Sequence, residues 1–195
     1  MPRKPDPALE DRILKAAQVL WKRGGEQALT LRAVAKAAGT NTPAVYRRFK
    51  NRKEILGALL RYYQDDLRVH FQAADLVEDM LEVFVSYLLR HPHAYELLLA
   101  HGRELTPPAK AGRKHAVRET RPNFALLEER LAKRLGGSPE EHTKMALAMW
   151  ALAQGTATLL LSRAIPEGHE AELRTSCRAA VKVLIDGGGK SFGTN

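Results

Sequence analysis

Residues 42–48 crowd together Thr42, Ala44, Arg47 and Arg48, side chains that are small or cationic. Such a set suits insertion into a DNA major groove, where short side chains fit against bases and Arg can donate two hydrogen bonds to guanine. Tyr46 stands beside them, able to donate its hydroxyl to a phosphate while its ring packs inward. Arg52 and Lys53 open the next helical pattern. Cations there oppose the helix dipole, and a phosphate held at that helix start offsets the penalty. Other chemistry is thin. Seven His residues are scattered, and His91 and His93 flank Pro92, which denies them an i,i+4 ligand pair. Gly-rich phosphate loops, His-Glu-x-x-His and nucleophile motifs are absent. The single cysteine, Cys177, excludes an internal disulfide and reads as a buried hydrophobe rather than a sensor. No metal, cofactor or enzymatic activity is expected.

The positioning elements follow from local signals. Asp6-Pro7 caps a helix with apolar positions Leu9, Ile13, Ala16, Ala17, Leu20 and Trp21, which Gly24-Gly25 ends. Thr30 caps the next, with Leu31, Val34, Ala35 and Ala38, and Gly39 stops it. Thr42-Pro43 repeats the cap-plus-Pro signature for a very short helix to about Arg48, with Val45 and Phe49 inward. Asn51 caps a longer connecting helix over about 52–73. This short helix, Gly turn and short helix follow helix-turn-helix grammar; an ordinary helical hairpin with a solvated basic face is the other reading. Helices are then predicted over 76–90, 93–103, 123–135, about 139–163 and about 167–186. Residues 109–121 are basic and weakly patterned, a helix or a mobile connection. The Gly187-Gly188-Gly189 tail should fray.

The chain has 195 residues, 45% of them apolar. Ala and Leu number 28 each against 14 Val plus Ile, a mix that favours helix over strand. The expected fold is all-α, with about nine helices. The predicted domains are a head at 1–53, a larger domain at 74–186 and a flexible tail at 187–195. The net charge of +9 is uneven: residues 1–53 hold 13 Lys+Arg and 4 Asp+Glu, and residues 54–195 hold 18 of each. A basic module on a neutral body fits a nucleic-acid reader, though a solubilising surface or a basic arm beside a membrane would show the same asymmetry. The N-terminus shows no signal-peptide pattern, in keeping with a cytoplasmic location. Met145 to Ser162 carries no charge; its interspersed Gln, Gly, Thr and Ser favour a buried helix over a membrane span. Small residues such as Ala153 and Ala157 permit close approach to a second chain. With Leu160 and the final helix's Cys177, Val181 and Leu184 they form the expected homodimer interface.

Thr30-Leu31-Arg32-Ala33-Val34-Ala35-Lys36-Ala37-Ala38-Gly39, followed by Tyr46-Arg47-Arg48-Phe49, resembles the N-terminal module of TetR-type transcriptional regulators. The match spans about residues 9–60. Thr40 replaces the usual Val, Arg48 the usual His, and Arg52 stands where the family's loop has Lys. The resemblance implies that Thr30, Tyr46 and Arg52 hold phosphates of double-stranded DNA, and that Arg32, Thr42, Pro43, Ala44 and Arg47 lie at or near base edges. Trp150-Ala-Leu-Ala-Gln154-Gly155 resembles a subgroup whose second domain carries a Trp-His-Gly signature, with Gln154 in place of His. It implies a homodimer that leaves a palindromic operator when a small-molecule effector binds. Phe84, Tyr87, Tyr95, His101, Phe124, Met149, Trp150 and Gln154 are the candidate pocket, with Trp150 favoured as packing. An effector-independent architectural or cell-division DNA-binding protein on the same scaffold is the alternative.

Overall fold

The computed structural model describes residues 8–105 and 116–191. Among them every regular element is helical. The predicted Asp6-Pro7 cap and most of the basic stretch 109–121 lie outside the described residues. The described residues form ten α-helices: α1 Leu9–Ala28, α2 Leu31–Ala37, α3 Thr42–Tyr46, α4 Arg52–Ala73, α5 Met80–Arg90, α6 Pro92–Leu105, α7 Ala116–Thr120, α8 Pro122–Leu135, α9 Thr143–Leu161 and α10 Glu170–Ser191. Short 3-10 turns, Val77–Asp79 and Pro139–His142, lead into α5 and α9.

Two compact units form: Met1–Tyr63 with His93–Thr106, and Gln64–Pro92 with Pro107–Asn195. The sequence had placed residues 93–103 in the second domain. Instead α6 packs with the first unit, where the Trp21 indole donates to the His93 carbonyl at 2.7 Å.

The first unit is built on the buried face of α1, with Ile13, Ala17 and Trp21, against Leu29, Val34, Ala35, Val45 and Phe49. Helical geometry fails inside α1 at Gly24–Gly25, where Gly25 has φ +55°. That lies in the left-handed region, which costs an L side chain strain. The turn after α2 is a Schellman closure: the Gly39 N–H donates to Lys36 O at 3.3 Å and the Thr40 N–H to Ala35 O at 2.9 Å. Gly39 sits at φ +64°, as the spacing predicts.

In the second unit α9 packs against α5, α8 and α10. Phe84, Val85 and Leu88 of α5 meet this core, with Met145, Ala146, Met149, Ala153 and Ala157 of α9, Leu131 of α8, and Val181 and Ile185 of α10. Pro139–Leu161 is the one described helical stretch long and apolar enough to cross a membrane. Its buried face is used within this unit. α10 continues through Gly187–Gly189 to Ser191, where the sequence suggested fraying; residues 192–195 of the expected tail lie outside the described ones.

Candidate nucleic-acid interface

The caps of the two short helices fix the interface. Thr30 Oγ1 accepts from the Ala33 N–H at 3.1 Å. Its hydroxyl proton is left to donate outward, because a hydroxyl carries both functions. The cap of α3 is Asn41, one residue before the predicted Thr42: its Oδ1 accepts from the Ala44 N–H at 2.9 Å. Thr42 and Pro43 thus occupy the first two helical positions, where a missing N–H costs no helix hydrogen bond. At α4, Asn51 Oδ1 accepts from the Glu54 N–H at 3.0 Å, and Glu54 accepts from the Lys50 N–H at 2.7 Å. The predicted Asn51 cap is present.

Burial sorts the sequence-derived DNA residues. Arg32, Pro43, Tyr46, Arg47, Arg48, Arg52 and Lys53 are exposed, as is Thr30, and Thr42 is half-buried. Ala44 is not at this surface. It is buried at 4% exposure, because a five-residue helix needs both Ala44 and Val45 to hold it against α2. Tyr46 is 52% exposed, so its ring does not pack inward as expected. Over residues 31–53 the chain has seven cations and no carboxylate, and all seven cations are exposed.

The two cations at the start of α4 already have partners within the unit. Arg52 pairs with the Glu26 carboxylate. Lys53 Nζ lies 2.6 Å from Glu104 Oε1. The Lys53 hydrogen bond, then its charge, holds the Glu104 carboxyl below its ordinary value. His101 lies between the acids, with Nε2 3.2 Å from Glu26 and Nδ1 3.8 Å from Glu104. Neither Glu26 nor Glu104 is visible as an interface residue in the sequence, since each meets its cation only through tertiary packing.

The eight candidate pocket residues divide between the two units. Tyr95 and His101 belong to the first unit, where His101 packs edge-on to Trp21. The other six belong to the second. Phe84, Tyr87, Phe124 and Met149 are buried. Tyr87 donates its hydroxyl to Asp66 at 2.9 Å. Trp150 packs on Phe124 and beneath the Arg121 guanidinium, and burial lowers the Arg121 pKa. Gln154 Oε1 is buried without a hydrogen-bond partner. An open cavity of about 310 Å³ lies between the end of α4 and α5, with His70, Glu82, Ser86 and Arg90 on its wall. None of the eight lines it. Of the expected dimer residues, Ala153, Ala157 and Val181 are buried within the chain itself. Leu160, Cys177 and Leu184 are half-buried, and Cys177 accepts a hydrogen bond from Thr156. A second α9 stripe is exposed: Leu147, Ala151, Gly155 and Leu159. α9 is apolar on nearly every side, so sequence periodicity could not tell the two stripes apart.

Residues 13–59 match the family model of bacterial regulatory proteins, tetR family. Residues 77–184 match the tetracyclin repressor-like C-terminal domain. The chain belongs to the TetR family. It is a DNA-binding transcriptional regulator with an N-terminal helix-turn-helix and a C-terminal helical domain. Solved TetR-type structures share the fold at low identity. A protein of unknown function from Rhodococcus sp. RHA1 aligns with a TM-score of 0.69 and 19% identity, covering 96% of this chain and 98% of its own. The multidrug binding protein EbrR complexed with imidazole gives 0.66 and 22%, covering 94% and 93%. TetR from Acinetobacter baumannii AYE gives 0.59 and 19%, covering 98% and 100%. No curated protein sequence gives a match.

Proposed function

We propose that this TetR-family protein is a cytoplasmic, non-enzymatic repressor that binds a palindromic operator as a homodimer and leaves it when a small-molecule effector binds. The observation that carries the DNA reading is the run of seven exposed cations without a carboxylate over residues 31–53. Thr30, Tyr46 and Arg52 hold phosphates, with Lys53 and Arg48 adding charge. Arg32, Thr42, Pro43 and Arg47 face base edges. A second copy docks on the exposed α9 stripe, Leu147, Ala151, Gly155 and Leu159, with Val183 of α10, which is 71% exposed. Burying that apolar surface supplies the drive for association, and a two-fold pair presents two heads to half-sites about 34–36 Å apart.

The effector reading draws support from the second unit's unpaired polar atoms. Gln154 Oε1 and Asn123 Oδ1 are buried without partners, which a ligand's donors would satisfy. Similar folds carry small molecules: EbrR with ethidium, and a TetR variant with minocycline. The Trp150-x-x-x-Gln154-Gly155 stretch supports a Trp-His-Gly subgroup reading, with an amide in the imidazole's place.

Genomic footprinting followed by fluorescence binding across operator variants tests the reading. Arg47→Ala should lose about 1–3 kcal/mol of discrimination at one base position. Arg52→Ala should weaken all sequences alike and flatten the salt slope by about 0.9. Unchanged binding for both variants would overturn the assignment. Footprints at very many sites, with no compound that releases DNA, would favour the architectural alternative.

A further inference from the structure

Arg52 and Lys53 lie next to each other at the start of α4, yet they are paired with acids from two different helices. Glu26 comes from α1 and Glu104 from α6. His101, also of α6, is within reach of both acids while only 14% of its side chain is exposed. The pairs themselves are open to solvent: the four side chains are 41–57% exposed. An incoming phosphate therefore meets each cation without unfolding anything, and competes directly with a carboxylate already there.

We propose that Glu26 and Glu104 are positioning residues that stand in for DNA phosphates, so that binding DNA requires Arg52 and Lys53 to exchange carboxylate for phosphate. The proposal rests on the reading that Arg52 and Lys53 hold phosphate. When the exchange occurs, His101 still stands beside both acids, 3.2 Å from Glu26 and 3.8 Å from Glu104. The pairing lowers affinity for any duplex by a constant factor and leaves sequence preference alone, since the cations it engages open α4 rather than belonging to the base-reading set. It also ties α6 to the DNA state of the head, because Glu104 of α6 gives up its Lys53 partner in the exchange.

The test uses the full chain and a random-sequence duplex at low salt, where backbone charge dominates binding. Glu104→Gln and Glu26→Gln should each tighten binding by about twofold to fivefold, the range expected for an exposed ion pair. The gain should vanish when Lys53→Met or Arg52→Met, respectively, is already present, as a double-mutant cycle requires of a direct pair. Glu104→Asp, which keeps the charge, should restore most of the wild-type affinity. Glu96→Gln is the control: the same charge is removed from α6, but its partner is His93, and the gain should be smaller. Unchanged or weaker binding by Glu104→Gln, or an equal gain in the Lys53→Met background, would overturn the proposal. If instead Lys53→Met and Arg52→Met leave random-duplex affinity untouched, the phosphate-contact reading itself falls.

Discussion

Between residues 31 and 53 the first unit turns every cation toward solvent, while the second unit turns several of its cations toward its own acids. There Arg118 reaches Glu128, Glu129 and Glu140, and Arg174 reaches Glu82 and Ser86. Glu128 is 1% exposed; its other oxygen accepts from the Thr143 hydroxyl at 2.6 Å. Positive charge is thus exposed along residues 31–53 of one unit, with Arg52 and Lys53 also paired to acids, and serves as a structural fastener in the other.

The comparison breaks most clearly at Trp21 and Arg118. Trp21→Ala removes a 3%-exposed indole and its hydrogen bond to the His93 carbonyl. It should cost about 3–5 kcal/mol, read as a drop in thermal midpoint. DNA affinity should fall with it, because the indole is buried in the unit that holds the helix-turn-helix. Arg118→Ala should cost a similar 3–5 kcal/mol by leaving the buried Glu128 side chain without its cation. Here the folded fraction should keep its affinity for a random duplex. Should Arg118→Ala leave the melting curve in place, the fastener role of the second unit's charges would fail.

Much of the first unit was readable because its determinants are local. Thr30, Gly39 and Asn51 act on residues within a few positions, and their caps and turn stand where the sequence puts them. Asn41 and Thr42 are both cap formers, and Pro43 is acceptable at either of the first two helical positions, so the cap slipped by one. Ala44 was misplaced because a methyl group suits a base edge and a tight helix contact equally well. The assignment of α6 hinged on a bond between residues 72 apart, which no local pattern encodes. Glu128 had a signal that was not used: it follows Phe124 by four residues and precedes Leu131 by three, the spacing of one buried face. The pocket stayed illegible, because candidate residues chosen for aromatic character were mostly those that fill the core.

A medium effect sharpens the head's side of the comparison. Gly39→Ala should cost about 1–2 kcal/mol, since an L residue is strained at φ +64°. The added methyl meets no atom within 4 Å, so strain alone is measured. Asn41→Ala should cost about 1 kcal/mol through the lost cap. Both substitutions loosen the placement of α3, so operator affinity should fall further than stability does. Equal losses in the two readouts would mean that the turn sets stability without setting the docking geometry.

The smallest effect concerns acid, and it belongs to the second unit. Burial pushes the Glu82 carboxyl pKa up, but hydrogen bonds from Arg174 and Ser86, with the charges of Arg174 and Arg178, outweigh it and hold the group below its ordinary 4.5. A carboxyl whose pKa is lower folded than unfolded stabilises the fold fully above the unfolded value and loses that contribution as pH falls through the folded one. Stability should therefore decline from about pH 4.5 downward, and the decline should be shallower in Glu82→Gln, which cannot titrate. Glu82 is partly open to solvent, so the change is modest and should shrink as salt screens the Arg174 and Arg178 charges. Urea unfolding of wild type and variant between pH 3 and 6 reads it. Parallel curves would mean that Arg174 is held in place by packing rather than by its charge partner, and the contrast between displayed and fastened cations would then rest on Arg118 alone.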